Sequence, residues 1–315
     1  MLNTVLAVDI GTSSLKAGLI TANGEDVFVC RQKYSSAESL YIASKWFHYL
    51  EAAMNKINAA IEKISTPVEI IAISISGNGP LVSEKGLTYR WNDEVSASVM
   101  DKLTEKGKKS LFIPRILSFK EKFPEEYNES KYLFSGPEYL IYQLIGKAIT
   151  ILPEERYKTA YWTDEALVEN GIKKEKMPPY MTVGQKYGKL TEEAAAALTL
   201  EPGLPVYGAG PDFIAALIGT GTTKVGVLCD RSGSSEGINF CIDKPIFAEG
   251  IRTLPSVVPG LWNISVLIPQ SSKYPEDERL EKVAEAINYL KKISKENNID
   301  FPDSMRVTGG QTSNK

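Results

Sequence analysis

The first 31 residues alternate between apolar runs and short polar breaks. Thr4–Ile10, Leu15–Thr21 and Asp26–Arg31 predict three strands joined by "GTSS" and by the Asn23-Gly24 turn, so the chain opens as an antiparallel meander. Apolar residues then recur at helical spacing, at Trp46, Leu50, Ala53, Ile57 and Ile61, which predicts a helix from about Ile42 to Ile64. "PVEIIAISISG" follows as a buried strand that ends on glycine. Strands, then a helix, then another apolar strand predict an α/β layer fold.

Further on, about Leu111 to Gly146 reads as helical, with Ser135 in a cap-like position and Gly146 at the exit. "TEEAAAALTLEPGLPV" predicts a helix leading through glycine into a strand. "YGAGPDFIAALIGTGTT" predicts a glycine-rich turn and a short helix, and "VGVLCDRSGSSEGINF" a strand–turn–strand. An amphipathic helix is predicted from about Pro275 to Asn297, ahead of "MRVTGGQ".

Composition changes this picture little. With 315 residues, 43% apolar and 24% charged, the chain is an ordinary globular one of one or two domains. Its net charge of −3 argues against a general affinity for nucleic acid or anionic membranes. No apolar run is long enough to span a bilayer, and the N-terminus lacks the pattern of a leader. Cys30, Cys229 and Cys241 are too few and too scattered for a disulfide framework or a zinc site. The expectation is a cytoplasmic chain with reduced thiols in its core. His48, the single histidine, sits on an apolar stretch and reads as structural, so acid–base chemistry falls to carboxylates.

Candidate chemistry lies in four turns rich in glycine and hydroxyls, each after or between apolar strands. They are "DIGTSS" (Asp9–Ser14), "SGNGP" (Ser76–Pro80), "RSGSSEG" (Arg231–Gly237) and "VTGGQ" (Val307–Gln311). Such turns expose backbone N–H groups and short hydroxyls, the donors that phosphate oxygens need. Any one of them is also an ordinary tight turn, with Gly11 supplying a positive φ in the first. Neither a P-loop nor a dinucleotide fingerprint occurs. Asp9 reads locally as a turn cap or a cation ligand, and Asp212 in "GPDF" as a helix cap or a base. Asp93 fits a surface turn, Asn78 a left-handed turn position, and Glu154 with Glu155 a solvated pair.

"AVDIGTSSLKAGLI" resembles the first phosphate motif of the ATPase superfamily that unites actin, hexokinase and the heat-shock chaperones. The ordered set "SGNGP", "RWND", "SGPEYLIYQLIGKAIT", "YGAGPDFIAALIGTG", "RSGSSEGIN" and "RVTGGQ" resembles more narrowly the FGGY carbohydrate kinases of the xylulokinase-like kind. The resemblance implies a two-lobe actin-like (ribonuclease H-like) α/β ATPase fold, with a sugar-kinase lobe at residues 1–240 and a partial second lobe at 241–315. It implies that Asp9 holds magnesium, that Thr12 and Ser13 belong to the first phosphate hairpin with Lys16, also on the ATP side, just beyond it, and that Gly233, Ser234 and Ser235 form the second. Thr308, Gly309, Gly310 and Gln311 fall on the adenosine motif, Asn78, Gly79 and Asp93 fall near the sugar, and Asp212 falls on the catalytic base.

The implied activity is ATP- and magnesium-dependent phosphorylation of a sugar or polyol, a pentulose such as xylulose among them. Phosphoryl transfer asks mainly for positioning and charge neutralisation, so a carboxylate base and an oxygen-ligated Mg²⁺ suit it without histidine. A small-molecule substrate is expected, with a homodimer allowed and no nucleic acid or membrane partner.

Three departures stand out. Asn78-Gly79-Pro80 replaces the Gln-Met-His-Gly run of many relatives. Glu236 stands where glycine is common, and would repel phosphate unless it points away or binds the metal. The second lobe is much smaller than the family pattern. Two other readings therefore stay open: a catalytically silent sugar- or nucleotide-binding relative, and an actin- or chaperone-like ATPase.

Overall fold

The computed structural model describes residues 1–233 and 235–313. By packing, the chain divides into two compact units, residues 1–212 and 213–315. The meander forms as expected: β1 (Leu2–Ile10), β2 (Ser14–Thr21) and β3 (Asp26–Lys33), followed by α1 (Trp46–Ile61) and β4 (Val68–Gly77). Every second residue of β1 is buried from Thr4 to Ile10, the two-residue period of a strand with one face on a core. Helix α1 buries Trp46, Leu50, Ala53, Met54 and Ile57, one stripe laid against that core.

After an insertion of short strands and helices, β5 (Lys186–Lys189) and β6 (Pro205–Pro211) complete a sheet of order β5-β6-β4-β1-β2-β3. β1, β4 and β6 run parallel within it. "YGAGP" is thus the end of a strand, not a turn. Its Gly208 lets the strand pass beneath Tyr187 and Ile151, whose side chains a Cβ there would strike. The stretch from Leu111 to Gly146 is also less uniform than its pattern. Ile113–Lys122, Pro124–Glu129 and Glu138–Ile145 are helical, but Leu133–Phe134 is a strand. Pro124 restarts a helix there, and Ser130 adopts an extended conformation that ends it. Gly146 does end the last helix, in the left-handed region at φ 68°. Ser135 is not its cap; its hydroxyl donates to Glu138 Oε1 instead, at 2.8 Å.

The second unit begins within α2 (Asp212–Gly219) and holds β7 (Leu228–Ser232), β8 (Glu236–Ile242), β9 (Arg252–Pro255), β10 (Trp262–Ile268), α3 (Glu276–Glu296) and β11 (Arg306–Thr308). Its sheet has the order β9-β10-β8-β7-β11. The boundary expected near residue 240 moves to Asp212, because β7 and β8 pair with β10 and β11. Val283, Ala286, Leu290 and Ile293 of α3 close this unit's own core.

The two units trace the same path. In each, an antiparallel hairpin is extended by a third strand, and a helix then returns the chain to a strand parallel to the first. The four glycine- and hydroxyl-rich turns are therefore two equivalent pairs: the hairpin turns after Ile10 and Ser232, and the exits after Gly77 and Thr308. Among the described residues, no helix is long and apolar enough to cross a membrane.

Candidate functional site

In the first unit, Ile10, Gly77 and Pro211 stand side by side at the C-terminal ends of the three parallel strands. A Cβ on Gly77 would lie 2.7 Å from Ile10 Cβ, so glycine is what allows the strands to close there. The Asn78 N–H donates to the Ile10 carbonyl at 2.8 Å, and its side-chain Nδ2 donates to the same oxygen at 2.9 Å. Ser76 Oγ ties β4 to the Gly210 carbonyl at 3.0 Å. Asp9, Asn78 and Asp212 thus issue from three adjacent strands at the edge where parallel sheets bind ligands. Asp212 opens the eight-residue helix α2, at the positive end of the helix dipole. Asn78 does not take the left-handed conformation that its place beside Gly79 suggested.

The turn between β1 and β2 is closed by the Gly11 N–H on the Ser14 carbonyl at 2.9 Å, and steadied by the Tyr34 N–H on the Ser13 carbonyl at 3.0 Å. Gly11 has no positive φ. Its smallness matters because the Ser14 carbonyl lies 3.0 Å from where a Cβ would sit. Arg31 Nε donates to Ser14 Oγ at 2.8 Å, while Thr12 and Ser13 stand exposed at the tip. Asp9 is half-exposed and faces Lys16 across the hairpin at 3.5 Å.

Beside this turn lies a small cleft, continuous with solvent and lined by Gly11, Thr12, Tyr34, Trp46, Asn78 and Arg90 among others. The Tyr34 hydroxyl and Trp46 Nε1 are buried with no hydrogen-bond partner among the described residues. Burial, and the Asp9 charge nearby, push the Tyr34 pKa far up, so its hydroxyl stays a donor. An indole N–H can only donate. Helical spacing marked Trp46 as core and gave no sign of Tyr34. The signal available was two aromatics with a polar atom each, flanking a phosphate-type turn. Asp93 is spent on Arg90: it accepts from the Arg90 N–H at 2.8 Å and from Nε at 3.1 Å, and it does not line the cleft. Arg90 also pairs with Glu38. Gly79 lies off the cleft, against the Ser135 carbonyl.

Other candidates fall away from this edge. His48 is exposed and pairs with Glu51 at 3.4 Å. Glu154 accepts from the Arg156 N–H and Nε, both at 2.9 Å, and Glu155 pairs with Lys158. The three cysteines are free, Cys229 and Cys241 buried and Cys30 partly so.

In the second unit, the hairpin turn is held at the Gly233 carbonyl and the Ser235 hydroxyl. The Gly233 carbonyl accepts from Gln311 Nε2 and, at 3.3 Å, from Ser271 Oγ; the Gln270 N–H donates to Ser235 Oγ at 3.1 Å. Ser234 lies outside the described residues. Thr308 pairs with Arg231 in the sheet, and Gly309, at φ 110°, sits where a Cβ would run into the Ser232 carbonyl. Gly310 has open space around it. The segment from Thr308 to Gln311 is therefore built directly onto the hairpin. Glu236 turns away from the turn and is fully buried: its Oε1 accepts from Ser232 Oγ at 2.8 Å and from Arg279 Nη1 at 2.9 Å. Its Oε1 is thus engaged by groups of its own unit, one of them the Arg279 cation.

Two units on one repeated path, each with a hydroxyl-rich hairpin turn, define an α/β protein of the actin-like ATPase type. A family profile described as "FGGY family of carbohydrate kinases, N-terminal domain" matches residues 4–219, and the chain belongs to that family. A xylulose kinase of Klebsiella pneumoniae is 22% identical over an alignment of 298 positions that covers 85% of this chain and 61% of that protein. Plasmodium falciparum glycerol kinase with ADP superposes with a TM-score of 0.78 at 14% identity, covering 100% of this chain and 83% of that one. A ligand-bound xylulose kinase from Lactobacillus acidophilus gives 0.68 at 19%, covering 84% and 59%. The chain thus spans about 61% of the length of the curated relative.

Proposed function

We propose that the protein transfers the γ-phosphoryl group of ATP to a hydroxyl of a sugar or polyol, a pentulose such as xylulose among them. The observation that carries this reading is the convergence of Asp9, Asn78 and Asp212 on one sheet edge, beside a cleft lined by Gly11, Thr12, Tyr34 and Asn78. Asp212 accepts the hydroxyl proton as the new O–P bond forms and the bond to the ADP oxygen breaks. The products are sugar phosphate, ADP and that proton. Within the first unit, Thr12 and Ser13 are the residues we assign to phosphate oxygens; within the second, Gly233 and Ser235 are assigned to phosphate and Gly309, Gly310 and Gln311 to adenosine.

A magnesium ion fits Asp9, a half-exposed carboxylate at the mouth of the first hairpin. Bound there with ATP, it neutralises charge on the phosphates. Lys16 stands opposite as a second positive partner for them. With Glu236 turned inward, the argument it lent to a silent, binding-only relative is gone.

The test is ADP release with Mg-ATP across ketoses, polyols and sugar acids, run beside Asp212→Asn. One sugar should stimulate release in the native chain, and the variant should lose that response by about 10²-fold or more. No stimulation by any sugar, with Mg-ATP bound, overturns catalysis in favour of sensing. Release indifferent to sugar favours an ATPase acting on protein partners.

A further inference from the structure

The two hairpins are equivalent in topology but not at their roots. In the first, the last residue pair before the turn is Ile10 with Leu15, both fully buried and apolar. In the second, the corresponding pair is Ser232 with Glu236. Arg279, three residues into α3 and only 14% exposed, reaches both: its Nη1 donates to Glu236 Oε1 at 2.9 Å and to Ser232 Oγ at 3.2 Å. Ser232 Oγ in turn donates to Glu236 Oε1 at 2.8 Å, closing a three-member ring of contacts. A buried carboxylate and a buried guanidinium are costly to desolvate, and an apolar pair of similar volume is often at least as stable. What such a pair adds is direction, since each hydrogen bond fixes an angle that apolar packing leaves free.

We propose that Glu236 and Arg279 are positioning residues for nucleotide phosphate, fixing the second hairpin in its phosphate-holding shape from inside the unit. This rests on the kinase reading above. The turn they anchor carries Gly233 and Ser235, and the Ser232 carbonyl at its root is the one against which Gly309 packs. The ring therefore sets the hairpin and, through Ser232, the start of the adenosine segment.

The test separates position from stability. Mg-ADP affinity and thermal midpoint would be measured for the full chain, Glu236→Leu, Arg279→Met and the double variant, with Glu236→Gln alongside. Each single change leaves an uncompensated buried group, so both readouts should fall, affinity by tenfold or more. The double variant removes both buried charges and leaves Ser232 as the one polar member of the root. It should recover the midpoint while its affinity stays at least fivefold down. Glu236→Gln keeps an acceptor for Arg279 and should retain more affinity than Glu236→Leu. Recovery of both readouts in the double variant, or native affinity in the single ones, overturns the proposal. If the native chain itself does not bind Mg-ADP, the kinase reading fails instead.

Discussion

Asn78 spends two donors on one oxygen: its N–H and its side-chain amide both end on the carbonyl of Ile10, at 2.8 and 2.9 Å. That doubled contact joins the strand carrying Asp9 to the loop that opens the cleft. Asn78→Ala should cost about 1 kcal/mol of stability, and Asn78→Asp more, because an acceptor would then face the carbonyl with no donor between. Urea titrations of the three proteins check the order; an Asn78→Asp as stable as the native chain would contradict it.

The Tyr34 hydroxyl has no protein partner to lose among the described residues. Tyr34→Phe should therefore leave the melting midpoint unchanged or raise it slightly. Sugar KM should rise about tenfold, the equivalent of ~1.4 kcal/mol, if the hydroxyl meets substrate in the cleft. Steady-state kinetics and melting on one preparation decide. A lowered midpoint with unchanged KM would make the hydroxyl structural.

Gly309 and Gly310 are neighbours with opposite surroundings. Alanine at 309 meets both a positive φ and the Ser232 carbonyl, so it should destabilise the second unit by about 2 kcal/mol and weaken Mg-ADP binding. Alanine at 310 should leave stability within about 0.5 kcal/mol of native. Thermal melts with and without Mg-ADP test the contrast, which equal losses would erase.

Asp230 lies on the same face of the β7–β8 pair as Glu236. Burial, and then the Glu236 charge, push its carboxyl up to about 7, against the opposing pull of Arg279 and Arg231. An unfolded aspartate ionises near 4, so between about pH 4 and 7 the folded unit holds the extra proton. Its contribution to stability is complete at the acid end of that window and is lost as pH rises through 7. The melting midpoint should fall from pH 5 to pH 8, and Asp230→Asn should flatten that dependence and raise the midpoint at pH 8. Parallel curves for the two proteins would count against it.

Local pattern was enough to read the meander, α1, α3 and the placing of the four turns, because each rests on a short-range period or a turn residue. It was not enough for "YGAGP", whose glycines make room for Tyr187 and Ile151 from distant segments. Nor could it place the unit boundary, since only pairing with β10 and β11 assigns β7 and β8. Within the site, Asp9, Asn78 and Asp212 were legible as motif residues, while Tyr34, Arg90 and the true bearing of Glu236 were not. Tyr34 and Arg90 depend on a cleft built from separate segments, and Glu236 depends on Arg279, 43 positions away.

The three thiols divide between the units, with Cys30 in the first and Cys229 with Cys241 in the second. Burial raises all three, Cys241 to about 11, so at neutral pH each resists alkylation until its own surroundings open. The native sequence thus carries a separate chemical clock in each half. Timed labelling followed by peptide mass analysis would show whether the halves breathe together or apart, and which one a nucleotide or a sugar slows, with no probe engineered into the chain.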